Sequence, residues 1–323
     1  MGAVDDSAFV QAADEIAARY GLGTANAPLE LAARGEQGLI WRLETPSGPY
    51  AVKQLQMRLT DDDVAADVAF QERAAAGAAS YDVASTIRTT DGAILSRIGD
   101  RQIRVQTWLD MAGTDPGIDP ALVGRMLAEL HACGEPRRDP VDPWYTEPVG
   151  AERWQTYVDK LGSTYPEVAA RLDAAVRDQV AFERLIVEPG ELRTCHRDLW
   201  ADNVRLTSSG RLCVFDWDNC GPADVDHELA MVVWEFGLDD DERIGTFIDV
   251  YEAAGGPGRV TGPGDFTMVI SQFGHFYEMA ADPFLDPLAT EADRAHGIER
   301  FDKFDSRPLT MEAIDQVIRV SRR

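Results

Sequence analysis

"CHRDLWADNVRL", residues 195–206, crowds His196, Arg197, Asp198, Asp202 and Asn203 into one short stretch. A polar surface loop and a catalytic centre look alike at this scale, so the flanking sequence decides. VRL, TSSG and RLCVFDWD follow and read as strand, turn, strand, with Ser208, Ser209 and Gly210 supplying the turn. A hairpin brings its outer ends together: Asp198 and Asn203 precede the first strand, and Asp216 follows the second. Two carboxylates and an amide therefore meet at one rim. Hard oxygen ligands grouped in this way suit Mg²⁺, which takes a few protein oxygens together with phosphate and water.

Outward from the hairpin the chain has two textures. A helix is expected over residues 5–20, with Phe9, Ala13, Ile16 and Tyr20 on one face and Gly21 as its stop. From about residue 29 to 109 the pattern is strand-like: PYAVKQLQM alternates, and RQIRVQTWL is rich in β-branched and apolar residues. Between these two, DDDVAADVAFQERAAAGAA opens on an Asp cluster suited to N-capping and turns Ala-rich, which favours helix. MAGTDPGIDP then breaks the pattern. A helix follows with Asp119 as cap, Pro120 at its first position, Leu122, Met126, Leu127 and Leu130 as its buried face, and Gly134 at its end. The remainder reads as helical apart from the strand pair beside residues 195–206, and RRDPVDPWYTEPVG reads as an ordered loop. The expected fold is α+β and bilobal: a small β-rich lobe over residues 1–108 and a larger, mainly helical lobe over residues 109–323.

Composition narrows the function. In 323 residues, 31 Lys and Arg stand against 56 Asp and Glu, a net charge of -25. Such a chain repels nucleic acid and anionic membrane and attracts cationic small molecules, although solubility alone also accounts for the surplus. Cys133, Cys195, Cys213 and Cys220 form no CxxC pair, the N-terminal residues lack a secretory pattern, and no run of eighteen apolar residues occurs. A reduced, cytoplasmic protein is the expectation.

The spacing His196-Arg197-Asp198, four residues, Asn203 fits the catalytic-loop pattern H-R-D-x-x-x-x-N of kinases, with Asp216 in the place of the metal-binding aspartate of D-F-G. Phosphoryl transfer also needs a cation for the nucleotide phosphates, and Lys53 in YAVKQL occupies a V-x-K strand context. Glu72 follows Val64 and Val68 at steps of four on the inserted helix, which makes it the candidate partner of Lys53, with Asp67 as the competing choice. ARGEQGLIWRLET holds Gly35 and Gly38 without the full G-x-G-x-x-G. The backbone at Gln37 and Gly38 serves equally as a phosphate cradle or as a plain hairpin turn.

Taken together, Lys53, LAELHACG, HRDLWADN, VFDWDNCG and DVDHELA resemble the aminoglycoside phosphotransferase family, the small-molecule branch of the kinase-like fold. DVDHELAMVVWEF turns at once into helix and leaves no room for an activation loop, which favours that branch. The resemblance implies ATP or GTP as co-substrate and Mg²⁺ as the metal. Asp198 accepts the proton of the acceptor hydroxyl, Asn203 and Asp216 hold the metal, and Lys53, aligned by Glu72, binds the phosphates. Gln106, Trp108 and Leu109 flank the adenine edge, while His196 and Arg197 brace the loop and Asp226 caps the next helix. Asp218 stands where D-F-G has Gly and either adds a metal contact or points to solvent; Asp202 meets substrate or solvent. His275, Tyr277 and Glu278 line an acceptor pocket or occupy ordinary core and cap positions of a helix.

The expected activity is transfer of a γ-phosphate to a hydroxyl of a small molecule, foremost an antibiotic or similar natural product. The runner-up is a metabolic kinase acting on a sugar or amino alcohol. A nucleotide-binding pseudokinase scaffold is a third class, disfavoured because a scaffold has no need of Asp198, Asn203, Asp216 and Lys53 together.

Overall fold

Alternation in the front third of the chain becomes an antiparallel sheet backed by two short helices. The computed structural model describes residues 7–35 and 38–322. In place of one first helix there are two, α1 (Ser7–Val10) and α2 (Ala13–Arg19). The break arises because the Val10 carbonyl accepts from the Leu29 N–H at 2.9 Å and so leaves the helical ladder. Asp5 and Asp6, part of the expected helix, lie outside the described residues. Phe9, Ala13, Ile16 and Tyr20 do share a buried face, and they pack on Trp41, Leu43, Val52, Ile103 and Val105 of the sheet. Gly21 follows at φ +66°, the left-handed geometry that suits a glycine stop.

The strands are β1 (Glu30–Gly35), β2 (Gly38–Thr45) and β3 (Gly48–Leu55). Helix α3 (Asp61–Gly77) intervenes before β4 (Tyr81–Val83), β5 (Thr86–Ile87), β6 (Ser96–Ile98) and β7 (Arg101–Thr107). All of these strands except β4 form one sheet in the order β1-β2-β3-β7-β5, with β6 also on β7. Register in this sheet matters to the site: Lys53 of β3 lies directly opposite Arg104 of β7. The cap of α3 is Thr60, in a reciprocal capping box with Asp63, so the Asp cluster sits one step inside the helix. Asp61 of that cluster accepts instead from the Ile94 and Leu95 N–H groups, at 2.8 and 3.0 Å.

Beyond the breakers come α4 (Pro120–Cys133), α5 (Ala151–Gly162), α6 (Pro166–Phe182) and β8 (Leu192–Cys195). Asp119 caps α4 and Gly134 ends it, as the sequence requires. Its buried stripe is Val123, Met126, Leu127 and Leu130, whereas Leu122 is exposed. Steps of four drift by roughly 40° each around a helix, which carries Leu122 off the stripe. The hairpin is β9 (Val204–Leu206) and β10 (Leu212–Val214), with Gly210 of its turn at φ +79°. β10 pairs on its other side with β4, in parallel, which gives a three-stranded sheet. A second strand pair was not foreseen: β11 (Gly221–Asp224) runs antiparallel to β8. The chain closes with α7 (Val225–Gly237), α8 (Asp241–Ala253), α9 (Thr267–Leu285), α10 (Glu291–Ser306) and α11 (Met311–Ser321).

These elements form two compact units. The first runs through Asp115 and includes Asp198–Cys220; the second holds Pro116–Arg197 and the chain from Gly221 onward. The sequence expectation of 1–108 and 109–323 placed the whole hairpin in the second. Pairing of β10 with β4 draws it into the first, the unit that also holds Lys53. No cysteine is disulfide-bonded. Among the described residues no helix is long and apolar enough to cross a membrane.

Candidate active site

The hairpin sets the site's geometry. Val204 pairs with Val214, and the Phe215 N–H donates to the Asn203 carbonyl at 3.2 Å. That bond places Asn203 and Asp216 at one end of the two strands. Asn203 Nδ2 donates to Asp198 twice, to the carbonyl and to Oδ2, both at 2.9 Å. Asn219 Nδ2 adds a bond to the same Oδ2 at 3.0 Å. Two amides thus fix the orientation of the Asp198 carboxylate, and with its nitrogen so committed Asn203 has its amide oxygen as the atom it can offer a hard cation. Asn219 was missed in the sequence, although its place in DWDN one residue past Asp218 is a polar signal of the same kind.

After β10 the chain turns sharply. Asp216 sits in the left-handed region at φ 56°, and Trp217–Asn219 forms a 3-10 turn. Trp217 anchors that turn: it is buried, its Nε1 donates to the Val214 carbonyl at 3.2 Å, and its ring meets Phe70 of α3 edge-on at 5.6 Å. A non-glycine residue at positive φ costs of order 1–3 kcal/mol and persists where its surroundings over-determine it. Here the anchored Trp217 does so.

Lys53 reaches both aspartates of the turn. Its Nζ lies 2.7 Å from Asp216 Oδ1 and 2.6 Å from Asp218 Oδ2. Arg104 Nη2 holds the other oxygen of Asp218. Burial pushes the Asp218 carboxyl up, but the charges and hydrogen bonds of Arg104 and Lys53 more than offset this and hold it below the usual carboxylate range. Asp218 therefore bridges two buried cations rather than pointing to solvent. Arg104 was also missed. Its signal was available: an arginine between Ile103 and Val105 in an apolar strand calls for a buried anion.

Glu72 does not pair with Lys53. Its carboxylate lies 2.9 Å from Arg88 Nη2, and both side chains are about half exposed, at 51% and 45%. Eight residues beyond Val64 a helix has rotated roughly 80° past it, whereas Gln71 falls within about 20°. Gln71 accordingly takes the inward position, donating to the Ala84 carbonyl at 2.7 Å and accepting from Thr86 at 2.5 Å. Asp67 is half-buried on the same helix.

The remaining candidates of the first unit divide. Gly38 starts β2, paired with Gly35 and Leu55, and a Cβ there would meet the Gln54 carbonyl at 2.2 Å. Close strand approach is what requires this glycine; Gln37, the other cradle residue, lies outside the described residues. Gln106, expected at the adenine edge, is a strand residue paired with Ala51 on one side and Thr86 on the other. Trp108 and Leu109 do follow the end of β7. Trp108 Nε1 donates to Asp110 at 2.8 Å, and the Arg42 guanidinium lies 4.9 Å from its ring. Asp202 accepts from Thr114 Oγ1 at 2.9 Å.

In the second unit, the residues ahead of Asp198 are braced. Arg197 has φ +66° and is gripped from several sides. Its N–H donates to Glu228 Oε1, its carbonyl accepts from Gln272 Nε2 at 2.9 Å, and its guanidinium lies 4.2 Å from the Tyr145 ring. Glu228 is fully buried; its Oε2 is 2.9 Å from His131 Nε2, and His131 Nδ1 is 2.7 Å from Tyr251 Oη. Burial pushes the Glu228 carboxyl up, while His131 and the Arg197 amide more than offset it and bring it below the ordinary range. Cys195 lies within 4.8 Å of His131 and Glu228, a grouping of metal-ligand types. Both His131 nitrogens are already bonded and burial pushes the Cys195 thiol well up, so this cluster is a hydrogen-bonded brace. His196 is fully buried. Asp226 is not the cap of α7: Asp224 is, accepting from the Asp226 N–H at 2.9 Å, and Asp226 accepts from the Arg259 N–H at 2.7 Å.

His275, Tyr277 and Glu278 all lie on α9. His275 stacks on Trp144 at 4.6 Å and pairs with Glu278 at 2.8 Å, and Glu278 also meets Arg153 at 2.5 Å. Tyr277 is buried, its hydroxyl 3.3 Å from Asp305, and burial raises its pKa. RRDPVDPWYTEPVG is ordered through Ser271, whose hydroxyl donates to the Trp144 and Glu147 carbonyls at 3.0 and 2.7 Å.

Comparison with known proteins adds an independent line. Solved structures with this fold include spectinomycin phosphotransferase in complex with ADP and spectinomycin (TM-score 0.68, 14% identity, 96% of this chain and 97% of that one). They also include amicoumacin kinase in complex with AMP-PNP and Ca²⁺ (TM-score 0.55, 16% identity, 94% and 95%). A microcompartment-associated aminopropanol kinase is a third (TM-score 0.56, 14% identity, 91% and 95%). At these identities the likeness is one of fold. Over 122 residues the chain is 30% identical to an uncharacterised protein of Deinococcus radiodurans. That match covers 36% of this chain and only 34% of the relative's length. Residues 29–262 match the model of the phosphotransferase enzyme family (APH), a span that takes in Lys53, the Asp198–Asn203 loop and the Asp216 turn. The chain belongs to the phosphotransferase enzyme family.

Proposed function

We propose that this protein transfers the γ-phosphate of ATP or GTP to a hydroxyl of a small molecule, with Asp198 as the base. The observation that carries this reading is the Asp198 carboxylate, oriented by Asn203 and Asn219 on the same hairpin that brings Asp216 to Lys53. Positioning and electrostatics supply most of the catalysis in phosphoryl transfer, and this cluster offers both.

The donor set suits Mg²⁺: the Asn203 amide oxygen and the Asp216 carboxylate are hard ligands of the number that ion takes from protein. A bound divalent ion would neutralise charge on the phosphates. Lys53 binds the α- and β-phosphates. Asp198 orients the acceptor hydroxyl and takes its proton as the oxygen attacks. Trp108 and Leu109 flank the base of the nucleotide.

The acceptor we favour is a cationic natural product of the antibiotic type, which the net charge of -25 would attract. Solved relatives of the fold that act on spectinomycin and amicoumacin support this reading, while the aminopropanol kinase keeps an amino-alcohol acceptor as the second one. Asp202 is the acceptor contact proposed, the net charge of -25 argues against nucleic acid, and the cytoplasm is the proposed compartment.

Two measurements test the proposal. A nucleotide at about 100 times its Kd stabilises by roughly 2.7 kcal/mol, so Mg·ATP or Mg·GTP raises the melting temperature. No shift with either nucleotide refutes the reading. Mass spectrometry of aminoglycosides, macrolides and amino alcohols incubated with enzyme and nucleotide then finds the acceptor as a gain of one phosphate. Asp198→Asn lowers that turnover by about 10²–10⁴-fold.

A further inference from the structure

We propose that Asp218, locked by Arg104, is the residue that positions Lys53 for the nucleotide phosphates, in the place expected for a carboxylate of α3. This rests on the reading of Lys53 as a phosphate ligand.

Four observations converge. First, Lys53 and Arg104 are direct cross-strand partners, and like charges placed so are destabilising unless an anion lies between them. Second, Asp218 is that anion: Oδ2 takes Lys53 at 2.6 Å and Oδ1 takes Arg104, so each oxygen has its own cation. Third, all three side chains are shielded, at 8%, 3% and 13% exposure, whereas that of Asp216 is 33% exposed. Asp216 is thus the more accessible partner of Lys53 for solvent and ligand, and Asp218 the more shielded one. Fourth, α3 touches this region through Phe70 on Trp217, the residue between the two aspartates, while its Glu72 faces Arg88. The helix therefore acts as an apolar anchor for the turn, and the turn itself supplies the carboxylate.

The arrangement has a functional logic. Lys53 bonds two carboxylates, and a metal ion on Asp216 would compete with it for one of them. Asp218 keeps the ammonium in place when that happens. The charges of Lys53, Arg104, Asp216 and Asp218 also sum to zero, so the cluster is balanced before nucleotide arrives.

The test uses the full chain and isothermal titration of Mg·ADP or Mg·GDP, whichever the wild type binds, beside the matching nucleoside. Asp218→Asn is expected to weaken the diphosphate by about tenfold to a hundredfold, as loss of a charge-assisted bond predicts, and to leave the nucleoside within about twofold. Asp218→Glu recovers part of the loss. Because Asp218→Asn leaves two cations facing each other, the charge-balanced double variant Arg104→Met, Asp218→Asn serves if the single variant does not fold, and it shows the same phosphate-selective loss. Equal loss for diphosphate and nucleoside makes Asp218 merely structural and overturns the proposal. So does an unchanged diphosphate affinity, or an equal phosphate-selective loss in Glu72→Gln, which would return the role to α3. A wild type that binds neither nucleotide defeats the phosphotransfer reading itself, a separate outcome.

Discussion

Replacing Glu228 by leucine should loosen the segment that carries Asp198 without touching the active site directly. The side chain is fully buried and accepts from the Arg197 N–H and from His131. Proton assignment follows from the network. Tyr251 Oη accepts from the Gly258 N–H at 2.9 Å; with its own proton assigned to His131 Nδ1 and Nε2–H facing Glu228, every group of the network is paired. Leucine leaves two buried donors facing apolar atoms. Breaking a buried, charge-assisted cluster of this kind costs about 3–5 kcal/mol. At roughly 2–4 °C per kcal/mol for a unit of this size, the melting temperature falls by on the order of 10 °C. Glutamine still accepts from Arg197 but turns an N–H toward His131 Nε2–H, a clash relieved only by a tautomer change that displaces the Tyr251 proton. Its cost is about 1–2 kcal/mol. Differential scanning calorimetry measures both variants, and hydrogen exchange over residues 195–199 should quicken in Glu228→Leu far more than in Glu228→Gln. Melting of Glu228→Leu within about 2 °C of wild type, or equal losses for leucine and glutamine, would refute the brace.

Three further outcomes follow from local geometry. Gly124→Ala puts a methyl group 2.5 Å from the Phe247 carbonyl where α4 crosses α8, so it destabilises by about 1–3 kcal/mol, read from urea midpoints. In Gly221→Ala the added Cβ meets the Arg197 guanidinium at 2.5–2.6 Å; since that group is buried on Tyr145, phosphotransfer falls several-fold more than stability does, and a variant of wild-type rate contradicts this. His227 is buried and its pKa is depressed by that burial, so the unfolded state binds more protons once pH drops below the ordinary histidine value. Stability therefore declines as pH falls from about 6.5 toward the depressed value, with a slope of up to about 1.4 kcal/mol per pH unit, and His227→Asn flattens that part of the melting profile.

What the sequence disclosed and what it hid differ in kind. The hairpin was legible because turn chemistry at Ser208–Gly210 and the flanking apolar runs are local signals, and the convergence of Asn203 with Asp216 follows from pairing alone. Lys53 was legible because a phosphoryl-transfer loop requires a cation and YAVKQL offers one in a V-x-K strand context. The parallel partner β4 was not, since three residues between a helix and a loop carry no period, and with it went the assignment of the hairpin to the first unit. Helix-face errors share one origin. Leu122 lies four residues before Met126 and Glu72 four after Val68, and the drift of about 40° per step carries the first onto the surface and the second onto Arg88.

A buried lysine demands an anion, and the nearest match to a known pattern suggested a helix carboxylate. Physical accounting of the strand opposite would have pointed elsewhere. Arg104 doubles the buried positive charge beside Lys53, and one carboxylate on a distant helix face cannot serve both cations. A carboxylate with two oxygens set between them can, and DWD offers a second aspartate two residues after the first, on a turn whose tryptophan pins it from behind. Charge balance across neighbouring strands, rather than spacing along a helix, therefore selects the partner of Lys53 in this chain.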